Sequence, residues 1–497
     1  MRIVTGLAAS GKTSMLLREI AEKAEANRGR QILLVPELNS HQMERRLAAA
    51  THNHGARTAE VLTFSRLADR VFAVVGGLAQ QMLTPAGQLL TLQEAARRVQ
   101  VGLTAWSGLA DKPELLSETL ALIDECKSCM IEPETLFRAS EESALDEDAA
   151  LSAKLRDLAQ ILTQYDSLCG ETLPDPRDRL THLRDGLAES HVLDGAEVYL
   201  DGFLSYTPQE LAIIEVMLSS GVSLTAAVTC DVELPDVFVT GCRTLRTLTR
   251  MAERCSRRPE LVDLGAGKMP RPAGLAAVAN EALLPVRQAH EDASGVRLYE
   301  AASPFDECEH AAAYIRRKVR DEGAHYRDFV IAARDIGPYS ASLAMAMGRY
   351  DIPMFLADKP DLLSRPPMAL VIGALESVRS NFGCRELFGC LKTGLTGLAW
   401  DEIDRLENYA ITWKIHGAAW ERDWVEHPDG YGLSIDENAK AQLAELNTLR
   451  KRAIAPFSAL REALAGEQPA GDCVRALYAF LLAVDAPQRM TDRAAGH

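Results

Sequence analysis

Apolar and polar positions follow two rhythms along this chain, and the changes of rhythm divide it. The first 75 residues repeat a strand–loop–helix unit. Ile3 and Val4 begin a short strand that runs into a glycine-containing loop. From Ser14 to Asn27, Met15, Leu16, Ile20 and Ala24 recur at helical spacing between charged neighbours, with Gly29 as the stop. Gln31–Val35 carries a continuous apolar run, the pattern of a buried parallel strand, closed by Pro36. A polar helix over 39–50, a strand over Ala59–Phe64 and a helix capped by Ser65 and reaching Val75 complete the series. Such alternation implies a parallel sheet covered by helices.

Residues 76–190 lose the strand signal and become rich in Leu, Ala and Glu at helical spacing, the mark of a helical insertion. The α/β rhythm returns with a strand at Glu197–Phe203. A helix runs from Pro208, a favoured first helical residue, to about Ser219, and a strand covers Val222–Thr229. A Pro/Gly/Ala-rich stretch at 265–280 reads as a linker. Beyond it, strands are expected at Val296–Ala301, Asp328–Arg334 and Met354–Leu356, with helices at Asp306–Asp321 and near 338–349. From about 365 the pattern is helical again. The expected layout is a first α/β domain from 1–75 plus 191–264, a helical insertion at 76–190, and a linker over 265–290. A partial second α/β domain at 291–364 and a second helical insertion at 365–497 follow.

Composition narrows the classes. At 497 residues the chain exceeds one ordinary core and should hold about three or four domains. With 47% hydrophobic and 25% charged residues it is globular rather than disordered. No apolar run approaches the roughly 20 residues of a membrane span. The glycine loop begins so close to Met1 that no secretory signal fits before it, so a cytoplasmic location is expected. A net charge of −16 opposes a generally basic, DNA-coating surface but leaves room for a local basic channel or a groove on a partner. Of the ten cysteines, Cys126 and Cys129 share one helix face and Cys384 and Cys390 lie near each other. Both pairs are expected to be reduced thiols, because a lone C-x-x-C is a weak zinc signal.

The strongest chemical signal is Gly6-Leu7-Ala8-Ala9-Ser10-Gly11-Lys12-Thr13, a full match to the phosphate-binding loop G-x-x-x-x-G-K-[ST], set between a strand and a helix. Its glycines let successive backbone N–H groups turn onto phosphates at a helix N-terminus. Lys12 would reach the β/γ-phosphates of ATP, and the Thr13 hydroxyl would ligate Mg²⁺. Hydrolysis also needs an acid at the end of a neighbouring strand. Asp201 is the candidate, and two readings stand: a Mg²⁺-holding carboxylate, or a turn formed with Gly202. Motor ATPases usually carry Glu after that Asp; here the water-activating carboxylate is missing or comes from elsewhere, such as Glu210. Arg334, at a strand end, could reach a γ-phosphate across a cleft or pair with Asp335. Trp400, Trp413, Trp420 and Trp424 cluster within 25 residues and suit helical core packing better than base stacking. His52 and His54 lack the partners of a metal site.

Several segments together resemble a known family. They are GLAASGKT, LLVPELNSHQMERRL (33–47), VLTFSRLADRVF (61–72), VYLDGFLSYTPQEL (198–211) and ASPFDECEHAAAYIRRKVRDEGAHYRDFVIAARD (302–335). YDIPMFLADKPDLLSRPP (350–367) and LKTGLTGLAWDEIDRLENYAITWKIHGAAW (391–420) continue the series. The chain is similar, over nearly its whole length, to the B subunit of bacterial ATP-dependent helicase/nucleases (AddB, related to RexB). The resemblance implies an α/β UvrD-like helicase fold of two RecA-like parallel-sheet units with large helical insertions, here truncated. It implies an ATP-binding subunit that works with an AddA-type motor partner, contacts single-stranded DNA and serves recombinational repair of double-strand breaks. ATP-site roles carry over to Gly6 through Thr13 and, more weakly, to Asp201. The family's nuclease domain and iron–sulfur cluster are not assignable in this chain. The alternatives are an autonomous superfamily-one helicase, or a non-enzymatic scaffold with a vestigial loop.

Overall fold

The computed structural model describes every residue except 53–57, 147, 266–270, 282–288, 357–361, 364 and 496–497. The chain folds as two compact units, Met1–Leu298 and Tyr299–His497.

Six strands build the sheet of the first unit: β1 (Arg2–Gly6), β2 (Arg30–Leu34), β3 (Ala59–Leu62), β4 (Ala196–Leu200), β5 (Ser223–Thr229) and β6 (Glu260–Asp263). Their order is β3-β2-β4-β5-β1-β6, and every pairing is parallel. Helices α1 (Lys12–Glu25), α2 (Ser40–Ala50) and α3 (Phe64–Val75) each follow one of the first three strands. Both faces of the sheet are buried, which is why its strands read as continuous apolar runs. Ile3, Ile32, Leu34, Val198 and Leu200 enter the core on one face. Their neighbours Val4, Leu33, Val35 and Tyr199 enter the core on the other, against Leu16, Leu17, Ile20 and Met43 of α1 and α2.

Between β3 and β4, α4 (Pro85–Val99), α5 (Pro113–Ser128), α6 (Pro133–Leu145) and α7 (Ala149–Glu171) share a core of their own around Leu92, Ile123, Leu158 and Tyr165. Helix α8 (Arg179–Ser190) instead places Leu183 and Leu187 in the sheet core. Helices α9 (Pro208–Ser219) and α10 (Val239–Arg254) flank β5 in sequence, and α11 (Ala273–Glu281) falls inside the expected linker, whose residues 266–270 and 282–288 lie outside the described set.

In the second unit, α12 (Pro304–Glu322) and α13 (Ser340–Arg349) share a small core through Cys308, Ala312, Leu343 and Met347. The remaining helices are α14 (Pro366–Arg379), α15 (Cys384–Leu391), α16 (Trp400–Thr412), α17 (Glu437–Ala463), α18 (Ala470–Ala483) and α19 (Ala486–Ala495). They enclose a core holding Phe388, Tyr409, Trp420, Trp424 and Phe457. Trp420 and Trp424 are thus core residues, Trp413 donates from its indole nitrogen to the His427 carbonyl at 3.1 Å, and Trp400 is exposed.

The architecture is mixed α/β with an all-parallel sheet and many helices, consistent with RecA-like units carrying helical insertions. Three local expectations change. The α3 cap is Thr63, whose hydroxyl accepts from the Arg66 N–H, because Phe64 and Ser65 already lie inside the helix. A sixth strand, β6, joins the edge of the sheet. Third, 296–301, 328–334 and the described residues of 354–356 are not assigned as strands, and Val330 and Phe355 are 90% and 93% exposed. Apolar alternation makes a strand only when a neighbour supplies ladder partners, and short isolated strands do not hold by themselves. All ten cysteines are free thiols. His54 lies outside the described residues.

Candidate nucleotide-binding site

β1 ends at Gly6 and α1 begins at Lys12, so the loop between them opens at the carboxyl edge of the sheet, where ligands of open α/β folds sit. Its backbone needs its glycines. Gly6 has φ 147° and Gly11 has φ 95°, and a Cβ on Gly6 would fall 2.6 Å from the Ser10 hydroxyl. Ala9 also takes a left-handed conformation, φ 60°. The Leu7 N–H donates to the Gly265 carbonyl at 3.2 Å, which ties the loop to the segment following β6.

Lys12 folds back over this loop. Its ammonium donates to the carbonyls of Gly6 at 2.7 Å and Leu7 at 2.8 Å, with the Ser10 hydroxyl at 3.4 Å. Burial lowers its pKa, opposed by the nearby Asp201 charge. Asp201 follows β4, one strand removed from β1, and is 3% exposed. Burial raises its pKa, while the Thr13 hydroxyl and the Gly202 N–H facing it, and the cations Arg46 and Lys12, pull it down. Its Oδ2 is buried without a hydrogen-bond partner. The structure therefore brings Lys12, Thr13 and Asp201 to one cavity of about 350 Å³, lined also by Ala8 through Gly11, Ser14 and residues 202–204.

Arg46 of α2 lines the same cavity, a placement that sequence spacing does not reveal. Among the described residues it makes no hydrogen bond or ion pair, whereas nearby Arg66 pairs with Glu44. Its only sequence signal is membership of the 33–47 segment; that α2 turns it toward the β4 end is a non-local fact.

Two other candidates are placed elsewhere. Glu210 closes a capping box at the start of α9: its carboxylate accepts from the Thr207 N–H at 2.8 Å, and the Thr207 hydroxyl accepts from the Glu210 N–H at 3.2 Å. Arg334 makes no ion pair with Asp335, which instead accepts from the Gly337 N–H at 3.0 Å. Nor could position 202 easily carry the carboxylate of a motor. Gly202 has φ 84°, and a Cβ there would stand 3.2 Å from the Asn39 amide and 3.3 Å from the Pro36 ring.

The donor set suits a nucleotide with a hard divalent cation: a carboxylate oxygen left unpartnered, an adjacent hydroxyl, and a glycine loop beneath a lysine. No group of three or more His, Cys, Asp or Glu placed to hold a metal unaided occurs among the described residues. No described helix is long and apolar enough to cross a membrane.

Comparison with known proteins gives the family. The family profile described as "ADDB, N-terminal" matches residues 3–268. The chain is 30% identical over 523 residues to the B subunit of the ATP-dependent helicase/deoxyribonuclease of Acetivibrio thermocellus, covering 99% of this chain and 44% of that protein. The same-named protein of Desulforamulus reducens is 30% identical over 511 residues, with 99% and 44% coverage, and that of Clostridioides difficile 29% over 509 residues, with 98% and 44%. The chain thus spans under half the length of these relatives. On the profile match across more than half its residues, the chain belongs to the AddB family of ATP-dependent helicase/deoxyribonuclease B subunits.

Proposed function

We propose that this chain is an ATP·Mg²⁺-binding part of a cytoplasmic helicase/nuclease complex that processes DNA double-strand breaks for recombinational repair. It contacts single-stranded DNA together with an AddA-type motor subunit, and its own nucleotide turnover is slow or regulatory. The observation that carries this reading is the shared cavity of Lys12, Thr13 and Asp201 beside a Gly202 that leaves no second carboxylate next to Asp201.

Each residue has a separate task. The N–H groups from Ala8 to Thr13, other than that of Ser10, which donates to the Leu7 carbonyl at 3.1 Å, would receive the phosphate oxygens. Lys12 supplies a compact positive charge whose desolvation an incoming anion relieves. Thr13 and Asp201 would hold Mg²⁺, directly or through water, and the ion would supply charge neutralisation at the phosphates. Arg46 stands free at the cavity wall to meet the terminal phosphate. A water-orienting carboxylate is the missing part of a hydrolytic set. Phosphate release, measured with and without single-stranded DNA, should therefore stay well below the roughly 1–10³ s⁻¹ of ordinary enzymes. Rapid DNA-stimulated turnover abolished by Lys12→Ala would instead establish an autonomous motor.

A further inference from the structure

Helix α10 carries a run of regularly spaced arginines. Arg243, Arg246, Arg250, Arg254 and Arg257 recur at intervals of three and four along and just past the helix, so they line one face. All five are exposed, while Cys242, Leu245, Leu248 and Met251 point into the core. Arg254 pairs with Glu215 at 3.1 Å, and Arg257 donates to the Leu218 carbonyl at 3.4 Å. Arg243, Arg246 and Arg250 make no hydrogen bond or ion pair among the described residues. Arg2, Arg30, Arg66 and Arg70 of the same unit sit against carboxylates, whereas Arg46 at the cavity does not. Like charges at this spacing repel and cost helix stability, an odd arrangement in a chain of net charge −16 unless a polyanion relieves it.

The buried side of α10 leads to the nucleotide cavity. The Thr244 hydroxyl donates to the Leu204 carbonyl at 3.0 Å. Gly241 rests on β5 so closely that a Cβ would lie 2.1 Å from the Thr229 carbonyl. Leu204 and Thr229 both line the cavity. The arginine face therefore stands on a helix whose first turns are seated on the cavity wall.

We infer that the Arg243–Arg246–Arg250 face of α10 is a docking surface for the phosphate backbone of DNA. From Arg243 to Arg250 the helix rises about 10 Å, so the three guanidinium groups span several adjacent phosphates. The contact is to the backbone and carries no sequence preference. This inference rests on the DNA-contacting reading above and assigns it a place.

The test uses the full chain and a fluorescein-labelled dT20 strand, with anisotropy measured across a salt series. Three variants are compared with wild type. One neutralises the face (Arg243→Gln, Arg246→Gln, Arg250→Gln), and one replaces the same three arginines with Lys. The third is a charge-matched control on the helical insertion (Arg97→Gln, Arg138→Gln, Arg156→Gln). The expected result is a loss of at least about tenfold in affinity for the Gln face variant, and a log–log salt slope shallower by roughly 2, since each lost phosphate contact removes about 0.7. The Lys variant should recover most of the affinity, the control should match wild type, and ATP-analogue binding should be unchanged throughout. Equal affinity and slope in the Gln face variant overturns the inference, as does a control that weakens binding as much, or a Lys variant as weak as the Gln one. Wild-type chain that fails to bind dT20 even at low salt removes the DNA-contacting reading itself, and this surface with it.

Discussion

At the scale of single residues, the candidate site carries a stability cost. Asp201 is buried with one oxygen unpartnered and its pKa is raised. A carboxyl whose folded pKa exceeds its unfolded value favours folding while protonated. That contribution is lost as pH rises through the folded pKa, so at neutral pH the ionised group works against the fold. Asp201→Asn should accordingly melt a few degrees higher than wild type at pH 7 without ligand, with the gap narrowing as pH falls through the raised carboxyl pKa. The same variant should lose most of the extra stabilisation that Mg²⁺ adds to nucleotide. Gly202→Glu tests the missing carboxylate. With φ 84° and two close neighbours it should cost about 1–3 kcal/mol in denaturant unfolding and create no ATP turnover. Some of this is legible in the sequence: Gly6 through Thr13 announce themselves by local spacing. Arg46 does not, because nothing near it in sequence says that α2 delivers it beside Asp201.

At the scale of elements, the strands that can be read are those buried on both faces. Arg30–Leu34 and Ala196–Leu200 are apolar because helices cover the sheet on each side. β6, Glu-Leu-Val-Asp, escapes notice because it is short, polar and at the edge, held by its pairing with β1 rather than by burial. The opposite error arises at 296–301 and 328–334, where a strand-like pattern lacks a ladder. Helix ends are more predictable. Pro208 opens α9, with the Thr207–Glu210 box around it. Because Glu210 serves that cap, Glu210→Ala should cost about 1 kcal/mol of stability and leave ATP-analogue affinity unchanged. A loss of nucleotide binding without loss of stability would return Glu210 to the chemistry. In the helical insertion, the buried Asp157 carboxylate accepts from the N–H groups of Thr104, Ala105 and Trp106, the shortest contact being 2.7 Å. Asp157→Ala strands these donors and should cost about 3 kcal/mol in the same unfolding assay.

Across the whole molecule, the described lining of the candidate nucleotide cavity comes from the first unit, and the described core residues of that unit all precede 298. Residues 1–298 expressed alone should therefore bind an ATP analogue within about twofold of the full chain's affinity. On the proposed reading, the chain would hold a nucleotide through Lys12 without the machinery of a motor. The most direct test is a titration of the wild-type chain and Lys12→Ala with a fluorescent ATP analogue, each with and without Mg²⁺. The expected result is one saturable, Mg²⁺-strengthened site in the wild type, weakened at least about tenfold in a Lys12→Ala protein that stays folded. Equal binding by both proteins, or binding by neither, would contradict it.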